Sequence, residues 1–229
     1  VTKTKVRLTA DQIAANKETY YGAVAQNYTQ GGLTYRIFYV DTENKFKDGK
    51  NRCKWCNPKN DLYIKYHDEE WGIPNFEEKY LFKMLILESF QAGLSWECVL
   101  NKREEFKKAF DNFDINKIIQ YDEKKIKELI NNEKIIRNKL KIKAAINNAK
   151  IFKNIQKKYK TFYNYLATYT GGKIIYELDK TSSKLSDEIS KDLKKQGMKF
   201  VGTTIIYSYL QAVGIINSHE NNCYLNNKK

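Results

Sequence analysis

From about residue 61 onward, apolar side chains recur at the three- and four-residue spacing that is typical of amphipathic helices. Capping residues divide this pattern into helices. Asn75 and Ser95 are each predicted to begin a helix, and Asp114 and Asp122 are each predicted to begin a short helix. Further helices are predicted over about 138–158, near 162–169, over 186–196 where Gly197 stops it, and from Thr203 or Thr204 onward. The pattern predicts an all-α class for residues 51–229.

Residues 1–50 do not follow this pattern. Thr9 to Ala25 is compatible with a short helix, whereas Leu33 to Val40 alternates well enough to be a strand after the two glycines at 31 and 32. We find no motif that carries chemistry in this stretch. The expectation is therefore an N-terminal extension over 1–50, which is an accessory element, a disordered arm or an expression remnant, followed by one domain over 51–229.

Composition indicates a globular chain with a polyanionic partner. The chain has 229 residues, of which 41% are apolar, and its formal net charge is +14. Such a charge favours nucleic acid first and a membrane surface second, although a chain this rich in Lys, Asn, Ile and Tyr also reflects the base composition of its gene. The longest uncharged stretch, 200–218, contains polar residues, so it predicts a buried core helix and no membrane span.

The cysteines indicate a reducing compartment. The four cysteines are irregularly spaced, which does not resemble a secreted disulfide framework, and no apolar segment opens the chain. We therefore expect a cytoplasmic protein that does not associate with a membrane.

Two histidines and two cysteines form a candidate metal site. Cys53 and His67 lie in the second quarter of the chain, and His219 and Cys223 lie at its end. Two thiolates and two imidazoles make a closed tetrahedral zinc set, which would be structural because no ligand position stays open. The alternatives are that Cys56 replaces His67 as a ligand, that the Cys53–Cys56 pair is a redox motif, or that the histidines only cap helices or lie in the core.

Glu88 is a carboxylate on an apolar helical stripe. It shares one face with Leu81, Met84, Leu85 and Ala92, and a buried charge without a partner is expensive. An ordinary glutamate at this position pairs with a lysine or caps backbone groups. The aromatic neighbours favour a pocket for a flat, cationic ring such as a nucleobase. These neighbours are Tyr63, Tyr66, Trp71 and Trp96.

The segment from Ile130 to Lys143 is the candidate DNA-facing element. A short helix, a tight turn and a long basic helix follow one another there, as in a helix-hairpin-helix, which binds the DNA backbone without reading sequence. Lys134, Arg137 and Lys139 are the candidate phosphate contacts. The basic run from 139 to 158 is otherwise typical of a solvated helix face.

Six short segments together resemble one family. They are RCKW at 52–55, DLYIKYHDEEWG at 61–72, LESFQAGLSW at 87–96, IIR at 135–137, KFVGTT at 199–204 and HENNC at 219–223. In this order and spacing, residues 52–224 resemble the zinc-containing 3-methyladenine DNA glycosylase I, or Tag, family of bacterial base-excision repair. Two positions depart from that pattern. Lys134 stands where relatives often carry glycine, and Leu140 stands where some relatives carry a second glycine.

The resemblance implies a helix-hairpin-helix DNA glycosylase fold with one structural zinc ion that joins the N- and C-terminal parts of the domain. It implies Cys53, His67, His219 and Cys223 as the zinc ligands, without Cys56. For the alkylated-base pocket it implies a larger set, with Glu88 selecting the base by hydrogen bonding. The pocket residues are Tyr63, Tyr66, Glu88 and Trp96, with Trp55 and Trp71 nearby.

The activity implied is hydrolytic removal of 3-methyladenine from double-stranded alkylated DNA, which releases the free base. Neither Asp nor Glu occurs from Lys134 to Ile175, and no lysine is indicated as a Schiff-base nucleophile, so we expect a monofunctional, monomeric enzyme without lyase activity. The alternative is a non-catalytic, zinc-stapled helical protein that binds nucleic acid.

Overall fold

The computed structural model describes residues 46–226 and, before them, three strands: β1 (Thr4–Val6), β2 (Val24–Gln30) and β3 (Leu33–Val40). The chain divides into two compact units, Val1–Asn51 and Arg52–Lys229. The first unit contains an antiparallel sheet in the order β1-β3-β2.

The strand predicted at 33–40 is present, and its main partner is a strand that the sequence did not predict. β2 pairs with β3 from Val24 opposite Tyr39 to Gln30 opposite Leu33. The short helix predicted from Thr9 to Ala25 lies outside the described residues except at 24 and 25. Those two residues begin β2, so the prediction is wrong there.

The second unit is mostly helical, which agrees with the predicted class. Two short strands, β4 (Ile175–Tyr176) and β5 (Ile216–Asn217), pair in parallel and are an exception to an all-α description. The helices are α1 (Asp61–Glu69), α2 (Glu78–Gln91), α3 (Trp96–Leu100), α4 (Arg103–Ala109), α5 (Ile115–Ile118), α6 (Glu123–Asn131), α7 (Lys139–Tyr159), α8 (Phe162–Thr170), α9 (Lys184–Lys195) and α10 (Thr203–Ala212).

Local capping chemistry sets several helix starts where the sequence predicted them. Side-chain oxygens of Ser95, Asp114 and Asp122 accept backbone N–H groups of the first turns of α3, α5 and α6. Two predicted starts are wrong. The side chain of Asn75 accepts the N–H of Glu77, which is itself the N-cap of α2. Helix α9 begins at Lys184, two residues before the expected start.

Helix α2 is the centre of the core. All of its residues from Leu81 to Phe90 except Lys83 are buried, and α7, α8 and α10 pack around it. A helix that is apolar on every side belongs in the interior. The polar residue Glu88 is therefore buried by its position on α2.

The predicted core helix over 200–218 is shorter in the structure. Helix α10 ends at Ala212, Gly214 turns the chain at φ +75°, and β5 follows. A side chain at 214 would meet the main chain at Ile73 and Pro74, because an added Cβ would lie 2.3 Å from the Ile73 carbonyl carbon. Within the described residues, no helix combines the length and the apolar character that crossing a membrane requires.

Candidate functional site

The four predicted metal ligands come together in one buried cluster. The ligand atoms of Cys53, His67, His219 and Cys223 all lie within 4.8 Å of one another. Cys223 Sγ is 3.5 Å from His67 Nε2 and 3.5 Å from His219 Nδ1, and Cys53 Sγ is also 3.5 Å from His219 Nδ1. Tetrahedral zinc bonds of about 2.3 Å to sulfur and about 2.0 Å to nitrogen give S···N edges of about 3.5 Å. The cluster therefore has the donor set and the dimensions to hold a metal ion.

A second layer of contacts orients His67. Its Nδ1 lies 2.7 Å from Asp68 Oδ1, which directs Nε2 toward Cys223. Arg52 donates to both carboxylate oxygens of Asp68, at 2.8 and 2.6 Å. Although burial raises the pKa of Asp68, the hydrogen bonds from Arg52 and His67 lower it below its ordinary value. The carboxylate stays ionised and can hold a proton on Nδ1 of His67.

His219 is positioned by the main chain between α1 and α2. Its Nε2 lies 3.1 Å from the carbonyl oxygen of Trp71, so Nδ1 faces the two cysteines. Gly72 has φ +75°, and a Cβ there would lie 3.0 Å from Nε2 of His219. Glycine at 72 thus permits the ring to sit against the main chain.

Two of the four cysteines, Cys53 and Cys223, belong to the cluster, and Cys56 and Cys98 do not. Hydrogen bonding between the two thiols raises the pKa of Cys53 and lowers that of Cys223, which favours a thiolate for a metal ion. Cys56 lies outside the cluster; its Sγ is 3.8 Å from the carbonyl oxygen of Tyr63, and burial raises its pKa to about 12. The alternative in which Cys56 replaces His67 is therefore not supported by the geometry.

Beside the cluster lies a cavity of about 360 Å³ with aromatic walls. Trp55 packs edge-on against Trp71 with ring centroids 4.7 Å apart, and Tyr66 and Trp96 are 5.1 Å apart. Trp55 also lies 5.2 Å from the ring of His67, so the metal cluster supports this wall directly. All six residues predicted for the pocket line it: Trp55, Tyr63, Tyr66, Trp71, Glu88 and Trp96.

Glu88 is a buried carboxyl at the wall of the cavity. Only 2% of the residue is exposed, and its Oε2 has no hydrogen-bond partner in the described part of the chain. Burial raises its pKa to about 8. The pairing with a lysine that an ordinary glutamate would show is absent from the described residues. An unpaired buried oxygen at a cavity wall is a ready acceptor or donor for a polar ring.

The sequence did not predict the polar half of the cavity. Gln91 lies one turn beyond Glu88 on α2, and a pattern search along that face could have found it. Its Oε1, the indole N–H of Trp96 and the hydroxyl of Ser218 are also buried without a partner among the described residues. The other lining residues are Asp179, Lys180, Thr181, Ser208, Gln211, Ser218 and Glu220.

The predicted hairpin connects α6 to α7, and Asn138 caps α7 by accepting the N–H of Lys141. Lys134 and Arg137 make surface contacts with Glu105 at 4.0 Å and Glu133 at 3.3 Å. Lys139 is exposed. None of these three cations lines the cavity. The expectation of a solvated face over 139–158 is wrong at Lys141, which is buried.

Comparison with known proteins places this site in a family. The family model for methyladenine glycosylase matches residues 55–226. Among curated proteins, DNA-3-methyladenine glycosylase 1 of Escherichia coli K12 is 41% identical over 75% of this chain and 95% of its own length. DNA-3-methyladenine glycosylase of Haemophilus influenzae is 36% identical over 75% of this chain and 96% of its own.

Solved structures of related proteins support the same family. A crystal structure of 3-methyladenine DNA glycosylase I superposes with a TM-score of 0.73 at 39% identity, covering 76% of this chain and 99% of that one. A structure of the Staphylococcus aureus enzyme, determined for its recognition of 3-methyladenine, gives 0.70 at 34% identity, with 72% and 92% covered. The chain therefore belongs to the methyladenine glycosylase family.

Proposed function

We propose that this protein is a DNA glycosylase that flips and hydrolytically removes 3-methyladenine from alkylated double-stranded DNA. The observation that carries the proposal is the unpaired, buried carboxyl of Glu88 at the wall of an aromatic cavity. Related proteins named for this activity, over three quarters of the chain, support it. The helical unit, within residues 51–229, would carry the activity.

The chemistry of the substrate explains why this set of residues suffices. Methylation at N3 gives the adenine ring a positive charge, so the base departs with the bonding electrons as a neutral molecule. The sugar becomes oxocarbenium-like, and water adds to C1′ and loses a proton. A strong general acid is not required, and the protein chiefly has to flip, hold and discriminate the base.

Each wall of the cavity has a role in this scheme. Tyr66 and Trp96, 5.1 Å apart, lie beside Glu88 and offer π-faces to a cationic ring. Glu88 would hydrogen-bond the polar edge of the base, which selects adenine over bases with a different donor pattern. Trp55 and Trp71 line the same cavity, where they would help to exclude water from the carboxyl and so strengthen that interaction. Tyr63 completes the aromatic wall.

We further propose that the metal is zinc and that its role is structural. Two thiolates and two imidazoles at zinc-like spacing fit the ion, and four protein ligands leave no position for water. Zinc would supply a cross-link between the start and the end of the helical unit. The protein's own residues supply the rest: Asp68 orients His67, and the backbone at Trp71 orients His219.

The hairpin between α6 and α7 is the proposed DNA grip. Lys134, Arg137 and Lys139 project from it. The partner of Arg137, Glu133, is exposed, and the contact of Lys134 with half-buried Glu105 is long, at 4.0 Å, so both cations can exchange a carboxylate for phosphate. Contacts of this kind fix the register of a protein on DNA without reading its sequence. A helix-hairpin-helix mode is consistent with substrate scattered at random along a genome.

The test is release of free base from methylated genomic DNA, separated by chromatography. We expect 3-methyladenine to appear in the supernatant while 7-methylguanine stays in the DNA. Glu88→Gln should reduce this release and the binding of free 3-methyladenine, with the far-UV circular dichroism spectrum unchanged; Glu104→Gln, on an exposed surface, is the control. A folded, zinc-loaded wild type that releases neither base would refute the proposal and favour a non-catalytic nucleic-acid-binding protein.

A further inference from the structure

Lys141 is a lysine that the fold places inside the protein. It lies at the start of α7, immediately beyond the proposed DNA grip, and only 7% of the residue is exposed. Its Nζ donates to the carbonyl oxygen of Phe90 at 2.9 Å and to that of Ala92 at 2.5 Å. Burying an ammonium whose hydrogen-bond acceptors are two neutral carbonyls costs free energy, and the two hydrogen bonds offset only part of that cost.

The two carbonyls mark where α2 stops. The last carbonyls of a helix have no partner within it and form the negative end of its dipole, so a cation placed there closes the helix. Ala92 already leaves helical geometry, at ψ 114°, and Gly93 follows at φ +78°. Lys141 therefore fixes the exact turn at which the chain leaves α2.

That turn lies between two parts of the base pocket. Glu88 and Gln91 precede it on the last turn of α2, and Trp96 opens α3 shortly after it. The side chains of all three carry buried atoms without partners in the described residues. A shift of this turn would move Glu88 and Trp96 relative to each other, and both contact the same cavity.

Helix α7 also holds the segment that leads into the opposite wall. Asn148 is fully buried, accepts the N–H of Lys199 at 2.9 Å and donates to its carbonyl at 2.8 Å. The next residue, Phe200, has φ +55°, a strained conformation for an aromatic residue, and its ring lies 5.9 Å from Lys141 Nζ. Helix α10, which carries Ser208 and Gln211 of the cavity, starts just beyond.

We propose that Lys141 is a positioning residue that ties the DNA-gripping hairpin to the base pocket by fixing the end of α2. The inference rests on the proposed function for its catalytic readout. Lys141 does not face the cavity as a lining residue, and its amine is occupied by the two carbonyls. It acts through Glu88 and Trp96 by holding the turn between them.

The experiment compares Lys141→Met, which keeps the length of the side chain and removes the donors, with Lys141→Arg, which keeps the charge and donors. Lys143→Met is the matched control, because Lys143 is on the same helix, is exposed, and within the described part of the chain forms an ion pair with Glu123 at 3.1 Å. Three quantities are measured: single-turnover excision at saturating DNA, the dissociation constant for DNA as a function of salt, and amide hydrogen exchange of residues 91–95.

For Lys141→Met we expect excision to fall roughly 100-fold, as for misplaced reacting groups, with DNA affinity within about twofold of the wild type. Exchange at residues 91–95 should accelerate at least about tenfold. Lys141→Arg should recover part of the excision rate and part of the slow exchange at residues 91–95. Lys143→Met should change neither the excision rate nor that exchange. If Lys141→Met does not fold, Lys141→Arg is compared with Lys143→Met instead. The proposal then predicts that the arginine variant keeps part of the excision rate and part of the exchange protection at residues 91–95. A folded arginine variant with fast exchange at 91–95 would overturn it.

Two other results would also overturn it. In the first, Lys141→Met leaves excision at saturating DNA unchanged, but the salt dependence of its DNA binding falls by about one phosphate contact. Lys141 would then contact the DNA backbone directly. A covalent protein–DNA adduct trapped by borohydride in the wild type and lost in Lys141→Met would make it a nucleophile. Failure of the proposed function is distinguishable, because an inactive wild type leaves the exchange comparison at residues 91–95 intact.

Discussion

Replacing Glu88 with glutamine should stabilise the fold in a pH-dependent manner. Burial raises the pKa of Glu88 from 4.5 to about 8, whereas the unfolded chain exposes the carboxyl to water. Between these two values, the unfolded state releases the proton and the folded state keeps it. The wild type therefore loses stability as pH rises from about 4.5 to about 8, and glutamine, which does not titrate, removes that loss.

The size of the effect follows from the shift. A tenfold change in proton affinity corresponds to about 1.4 kcal/mol. Raising the pKa from 4.5 to about 8 thus costs roughly 5 kcal/mol once both states are ionised, and roughly 3 kcal/mol at pH 7. The amide adds its own unsatisfied donors, at about 1–3 kcal/mol, but that contribution does not vary with pH. The pH dependence of the difference is therefore the informative quantity.

Urea unfolding of the wild type and Glu88→Gln at several values from pH 5 to pH 9 measures this directly. The free-energy difference should move in favour of glutamine by a few kcal/mol between pH 5 and 8 and then level off. Comparing the two proteins at each pH cancels titration of the metal ligands, which they share. A difference that does not change with pH would show that Glu88 titrates normally, and the electrostatic reasoning about the pocket would be refuted.

Other perturbations test the metal site, the close packing and the DNA grip. Cys223→Ser should lose zinc by atomic absorption and melt lower by roughly 5 °C or more; a metal-free variant with the wild-type Tm would contradict the structural role. Gly214→Ala should lower the unfolding free energy by roughly 3 kcal/mol or more, and an unchanged urea midpoint would disprove the close approach to Ile73. Arg137→Ala with Lys139→Ala should reduce the salt slope of DNA binding by roughly 2, whereas an unchanged slope would place the phosphates elsewhere.

The parts of the fold that local chemistry determines were predictable. Asp114 and Asp122 cap α5 and α6 because a carboxylate directly before an apolar run has first-turn N–H groups within reach. The start of α9 was predicted wrongly because Ser183 and Ser186 are both capping residues. In the structure the Ser186 hydroxyl accepts the N–H of Ser183 and donates to its carbonyl oxygen, and the helix starts after Ser183. Residue type alone does not rank two serines on adjacent turns.

Some residues of the candidate site could likewise be predicted from the sequence, and others could not. The four residues of the candidate metal site were predictable because histidine is rare in this chain, and the two histidines each have a cysteine nearby. Ser208 and Gln211 are ordinary residues far along the chain from Glu88, and the packing of α10 against α2 brings them to the cavity. Lys141 was hidden for a similar reason, since one buried lysine in a basic helix looks like its solvated neighbours.

The placement of Glu88 on α2 links the fold to the proposed selectivity. A central helix buried on all sides removes a carboxyl from solvent and, among the described residues, gives it no cation, so ionisation is costly. A cationic base supplies the missing counter-charge, whereas a neutral base of similar shape does not. Under the proposed function, the same burial that weakens the fold would therefore discriminate between alkylated and normal adenine. Binding of the cationic base should release a proton at pH 7, because the base lowers the pKa of Glu88 toward its ordinary value.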